Sequence, residues 1–215
     1  MSTRKELKAR AKESLKGNYG KLILALIVTV LIGMAIVFIG EALIGLAAAS
    51  GSVIVGLLGA IFLICGMLVT FYLSIGYAKM LLKVARNQET SLNELFAKEN
   101  FSSTFRIVGI LIVEAILVYF ASLAIIPAFI LPFSYAFVVY LAIDEGTGLD
   151  TIKNCRMMMK GHKWDLFVLE LSFIGWILLS ALTLGILTLW VGPYIAVTEL
   201  NFYDEVKANS NNTVA

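Results

Sequence analysis

The sequence predicts an all-α, polytopic helical membrane protein: six transmembrane helices, with short amphipathic interfacial helices on the cytoplasmic side. Three observations predict it. First, 60% of the residues are hydrophobic, 15% are charged, and the mean hydropathy is +0.89. A soluble chain is only about half apolar and about a quarter charged, so this composition calls for hydrocarbon as solvent. Second, three long stretches, 22–78, 107–143 and 166–203, hold no Lys or Arg. A spanning helix needs about 20 apolar residues; each stretch is too long for one span and fits two. Third, all 17 Lys and Arg fall before the first span, between the second and third, between the fourth and fifth, or after the sixth. The connections on the other side, at 47–52, 123–128 and 183–185, carry no charge of either sign.

The chain reads as one integral membrane domain over 1–215. Residues 1–21 form a basic amphipathic helix in which Leu7, Ala11 and Leu15 repeat every four residues and Tyr19 closes the segment. Residues 22–78 hold the first two spans. "AAAS" (47–50) resembles a cleavage site, but the apolar run before it is about 25 residues, against about 7–15 for a signal peptide, so it reads as a retained span. In the second span Ser52, Gly56, Ala60, Gly66, Thr70, Ser74 and Ala78 form a ridge of small residues. Such a ridge lets helices approach closely within the monomer or, alternatively, at a dimer seam.

Residues 79–105 form a cytoplasmic loop with a weak surface helix at "SLNELF" (91–96). Spans three and four fill 106–143, turn at Pro127 and end at "IDEG" (143–146). Residues 144–164 form a second amphipathic helix. Thr147 and Asp150 resemble a capping box and Gly161 is a natural stop. Leu149, Ile152, Cys155 or Arg156, and Met159 share its apolar face. Spans five and six fill 165–203, turn at "TLG" (183–185) and end at "FYDE" (202–205), and 204–215 reads as a disordered tail. The two later hairpins share a proline and trailing acids. Pro132 and Pro193 are expected to kink their helices.

Positive residues in short loops stay cytoplasmic, and an even number of spans puts both termini there. "MMMKGHKWDLF" (157–167) then reads as the place where the chain enters the membrane. Lys153, Lys160, His162 and Lys163 are placed to meet anionic headgroups, and Trp164 to sit in the aromatic belt. His162 has no partner histidine, so no metal site is expected. Cys65 and Cys155 read as reduced thiols.

Ionisable groups inside spans are functional candidates by default. Glu114 lies about 12 Å beyond Arg106, Glu170 about 10 Å beyond Lys163, and Glu199 about 7 Å before Asp204, at 1.5 Å per residue. The three share a depth in the cytoplasmic half. They form a candidate intramembrane polar site for a cation, protons or a basic substrate, or else serve structure alone. The sequence holds no zinc cluster, phosphate loop or Ser/His/Asp set, so neither an enzyme nor a cofactor is expected. The basic residues read as a lipid surface rather than a nucleic-acid face. The first functional reading is a membrane binding or scaffolding protein whose basic collar meets anionic lipid, with a protein partner or homo-oligomer left open. A small transporter using the three glutamates is the alternative, and a membrane enzyme a distant third.

The run "MMMKGHKWDLFVLELSFIGWILLSALTLGILTLWVGPYIAVTELNFYDE" (157–205) closely resembles the bacterial integral membrane family catalogued as domain of unknown function 975. "IIP" (125–127), "SYAFVVYLAIDE" (134–145) and "ARAKESLKGNYG" (9–20) are similar to it as well. The resemblance implies a bacterial plasma membrane, six helices and no established activity.

Overall fold

A computed structural model describes residues 2–97, 99–122, 132–146 and 148–214. The described residues are mostly helical, with turns between the helices and no strand among them. α1 (Arg4–Ser14) leads into two long helices, α2 (Tyr19–Ser50) and α3 (Val53–Ala85). A short 3-10 turn (Leu92–Phe96) precedes α4 (Glu99–Ser122). Then come α5 (Val138–Glu145), α6 (Leu149–Met158), α7 (Lys163–Leu171), α8 (Ile174–Leu182) and α9 (Thr188–Val214). Pro127 and Thr147 lie outside the described residues.

Among the described residues, three helical stretches are long and apolar enough to cross a membrane: Tyr19–Ser50, Val53–Ala85 and Lys163–Leu182. Their apolar side chains face outward to a degree that water would not tolerate. Leu31, Met34, Phe38, Ile54, Ile64 and Leu178 are all exposed. A soluble monomer rarely shows apolar patches beyond a few hundred Å². The third stretch is not one continuous helix, because α7 and α8 meet at a turn through Ser172 and Phe173.

α2 and α3 pack as an antiparallel hairpin along a seam of small residues. A Cβ added at Gly40 would stand 2.6 Å from a Leu63 methyl, and one at Gly59 3.0 Å from the Gly40 carbonyl oxygen. Neither position has room for a side chain, and that absence lets the backbones approach. The seam includes Gly56, Gly66 and Thr70 from the predicted ridge, whereas Ala60 and Ser74 are exposed. Gly59 takes Ala60's place. The four-residue spacing from Gly56 drifts off the contact face, while Gly59 and Gly66 keep to it seven residues apart.

Two amphipathic segments differ from expectation in what covers them. Leu7, Ala11 and Leu15 are 2%, 0% and 0% exposed, because α1 lies on the second half of α9. In α6, Ile152, Cys155 and Met159 are buried as well, while Arg156 is exposed. These faces are occupied by protein; beside that of α6, Lys153, Arg156 and Lys160 are exposed, whereas Lys8 and Arg10 of α1 are themselves engaged. Thr151 caps α6: its hydroxyl oxygen accepts from the Gly148 N–H at 3.2 Å and its O–H donates to the Gly146 carbonyl at 3.1 Å. Gly161 has φ +94° just past the helix, as a stop requires.

α9 corrects the expectation of a disordered tail. It runs past Pro193 and continues through 204–214, where Val206 is fully buried and Lys207 is ion-paired. A polar composition alone reads as disorder, but the burial of Val206 and the ion pairs of Lys207 hold this segment.

Candidate functional site

The helix ends bearing the charges meet at one end of the molecule. Lys21, near the start of α2, donates from its ammonium to the Thr90 carbonyl at 3.1 Å, so α2 begins where α3 finishes. Arg86 is the residue directly after α3. Its cation suits the partial negative charge of a helix C-terminus. Asp144 and Glu145 end α5, where the same dipole opposes them, so they need cations from elsewhere.

Arg86 supplies one. Its Nη1 and Nη2 donate to Asp144 Oδ1 and Oδ2 at 2.9 and 2.6 Å, a two-pronged pair. Nη2 also reaches Asp204 Oδ1 on α9 at 2.7 Å, and Nε reaches both Asp204 oxygens at 3.2 Å. One planar guanidinium thus ties three helix segments, which a lysine's point charge does not reproduce. Lys207 supplies the second cation, 2.9 Å from Asp144 Oδ2 and 3.2 Å from Glu145 Oε1. The Tyr203 hydroxyl donates to Asp144 Oδ2 at 3.0 Å.

Burial alone would push the Asp144 carboxyl up, but the hydrogen bonds from Arg86 and Lys207 and their charges hold it down, to about 2. The hydrogen bonds to Asp144 and Asp204 raise Arg86 further above its already high value. Beneath this clasp lies an aromatic floor. Phe137 packs 5.4 Å from Tyr203 and 6.2 Å from Phe202, ring centre to ring centre.

A second tie holds α1 in place. Arg10 Nη1 meets Glu205 Oε1 at 2.8 Å and the Ser2 N–H donates to Glu205 Oε2 at 2.8 Å. The Lys8 ammonium lies 4.0 Å over the Phe173 ring and donates to the Ser172 carbonyl at 3.1 Å, at the turn between α7 and α8. Two cavities open beside the clasp. One, of about 380 Å³, is lined by Arg10, Glu13, Asn87, Asn201 and Asp204, among others. The other, of about 310 Å³, is lined by Lys79, Lys83, Arg86, Glu94 and Asp144, with apolar neighbours.

The residues singled out in the sequence fall in two places. Lys153, Lys160 and Trp164 are exposed, while His162 and Lys163 are half-buried. Trp164 stacks obliquely on Phe167 with ring centres 5.1 Å apart. His162 Nδ1 lies 3.6 Å from Asp165, beyond a hydrogen bond. No group of metal-ligating residues occurs among the described residues. Of the three glutamates, Glu170 on α7 and Glu199 on α9 lie within electrostatic range of one another.

The clasp itself is absent from the sequence reading, which took Arg86 as a loop cation. A signal was there: both later hairpins end in an Asp–Glu pair, Asp144–Glu145 and Asp204–Glu205. The first acid of each pair grips the same arginine.

The described fold is therefore an all-α assembly with outward apolar helices fit to cross a membrane and a charged clasp at one end. The chain belongs to the family described as protein of unknown function (DUF975), whose model matches residues 101–210. Asp144, Asp204 and Lys207 lie within that match and Arg86 lies before it. Comparison with curated proteins and with solved structures gives no match.

Proposed function

We propose that the chain is a six-span protein of the bacterial plasma membrane with both termini cytoplasmic, and that it works by binding rather than by catalysis. Its cytoplasmic collar engages anionic lipid headgroups and offers a platform to a protein partner or a second copy. The observation that carries this reading is the division of labour in α6 and the turn after it. Ile152, Cys155 and Met159 are buried in protein while Lys153, Arg156, Lys160 and Trp164 point outward. Anchored on its apolar side, the segment presents a fixed set of cations, each contributing about 1 kcal/mol near an anionic surface. The full-length protein, reconstituted into nanodiscs of mixed phosphatidylglycerol and phosphatidylcholine, should enrich phosphatidylglycerol in its annulus. Lys153→Gln with Lys160→Gln should reduce that enrichment. Equal recruitment of both lipids by the parent protein would remove the reading.

The placement of Glu114, Glu170 and Glu199 within apolar spans supports one second reading, transport of a cation or proton through those acids. Proteoliposomes in which Glu199→Gln leaves every tested cation and proton flux unchanged would dismiss it.

A further inference from the structure

The cavity of about 310 Å³ beside the clasp differs from the outer collar in being a defined recess. Lys79, Lys83 and Arg86 follow one another at i, i+4 and i+7 along α3, so they share a helix face. Their states differ. Arg86 is saturated by Asp144 and Asp204. Lys83 bonds Glu94 at 2.9 Å with its side chain still 43% exposed, which leaves further N–H donors open. Lys79 is half-buried and has no carboxylate partner among the described residues.

Each carboxylate on the cavity has a cation partner. Glu94 Oε1 takes the Lys83 ammonium and the Ser91 N–H, and Asp144 takes Arg86, Lys207 and Tyr203. The α3 C-terminal dipole opposes an anion, as it does the acids of α5, but three of its last carbonyls are already capped. Those of Leu82, Lys83 and Val84 accept from the N–H groups of Arg86, Gln88 and Asn87. The lining itself therefore carries three cations against two carboxylates, a balance of one positive charge fixed on a helix, with Asp204 just outside it. Leu82, Ala97 and Ile143 form the apolar part of the lining.

We propose that this recess binds one phosphate group, held between the Lys79 and Lys83 ammoniums, with the apolar wall against its ester carbons. Lysines act on phosphate as point charges, and two of them one helical turn apart reach separate oxygens of a single tetrahedral anion. The phosphate comes either from an anionic phospholipid headgroup, for which the membrane reading above is required, or from a free phosphate, for which it is not.

The test uses the full-length protein in neutral detergent, titrated separately with phosphatidylglycerol, phosphatidylcholine and inorganic phosphate. Native mass spectrometry counts bound ligand, and amine-reactive footprinting reads each lysine. Saturable binding of one equivalent is expected, with Lys79 protected several-fold more than the collar residue Lys153. Lys79→Gln should weaken binding by roughly tenfold or more, about 1.4 kcal/mol, and Lys79→Arg should restore most of it. Lys153→Gln, whatever it does to lipid at the collar, should leave the protection of Lys79 unchanged, which separates failure of this site from failure of the collar. Binding of phosphatidylglycerol alone assigns the site to lipid, and binding of inorganic phosphate as well assigns it to the phosphate group itself. Absence of saturable binding by all three probes, or protection of Lys79 no greater than that of Lys153, overturns the proposal. The footprint needs no variant to fold.

Discussion

Asp144 Oδ2 accepts from Arg86, Tyr203 and Lys207 at once, at 2.6, 3.0 and 2.9 Å. A carboxylate so served is held ionised, and its effect on pH dependence has a definite sign. Its carboxyl lies at about 2 in the folded protein against an ordinary 3.8. The stability it contributes is thus complete above about 4 and disappears as pH falls through about 2. Glu205 adds to the same trend: burial raises its carboxyl, but Ser2 and Arg10 hold it below its usual range. Asp144→Asn should lower stability by roughly 2–4 kcal/mol, because it leaves two cations short of their shared partner. It should also flatten the acid limb of the stability curve between about pH 4 and pH 2, which thermal unfolding in detergent at stepped pH measures. An acid limb unchanged by the substitution would show that Asp144 is not the group being titrated. The acids and Arg86 were visible in the sequence as charges at span ends. Their meeting was not, because residues 58 and 118 positions from Arg86 come together only through packing of three helix segments.

Between helices, the α2–α3 hairpin depends on what Gly40 and Gly59 lack. Gly59→Leu should cost about 1–3 kcal/mol as the side chain drives the seam apart. Gly45→Ala on the same hairpin meets nothing within 4 Å and should stay within about 0.5 kcal/mol of the parent. Equal loss from both substitutions would mean that close approach at Gly59 does not set the effect, since both replacements are better helix formers than glycine. Hydropathy made this hairpin legible, and small-residue spacing made its seam half legible. The interior of Val53–Ala85 is apolar on every side, so no polar face marks the register, and Gly59 was passed over for Ala60. The apolar face of α1 was legible too, as Leu7, Ala11 and Leu15, but its covering was not. An amphipathic face states that something apolar must meet it; whether lipid or α9 does so is decided by distant residues such as Glu205, Asn201 and Phe173. The turn at Ser172–Phe173 left no sequence mark, since "LELSFIGW" carries no proline and its glycine falls three residues later.

Taken whole, the molecule is polarised. Arg86, Asp144, Asp204, Lys207 and the α1 tie gather at one end, and outward apolar side chains cover the long helices that lead away from it. The one-sided distribution of lysine and arginine makes that polarity legible in the sequence alone, because it follows from counting charges between apolar runs. The most direct measurement of the whole account is single-cysteine accessibility in intact cells, in a background lacking Cys65 and Cys155. Ser50→Cys and Leu184→Cys lie in two of the three uncharged connections, and Leu184 is 94% exposed. Phe96→Cys lies in the 3-10 turn beside the clasp. A membrane-impermeant maleimide added outside should label positions 50 and 184 and leave position 96 untouched until the cells are opened. Labelling of position 96 from outside, with 50 and 184 protected, would place the basic end on the wrong side and contradict the account.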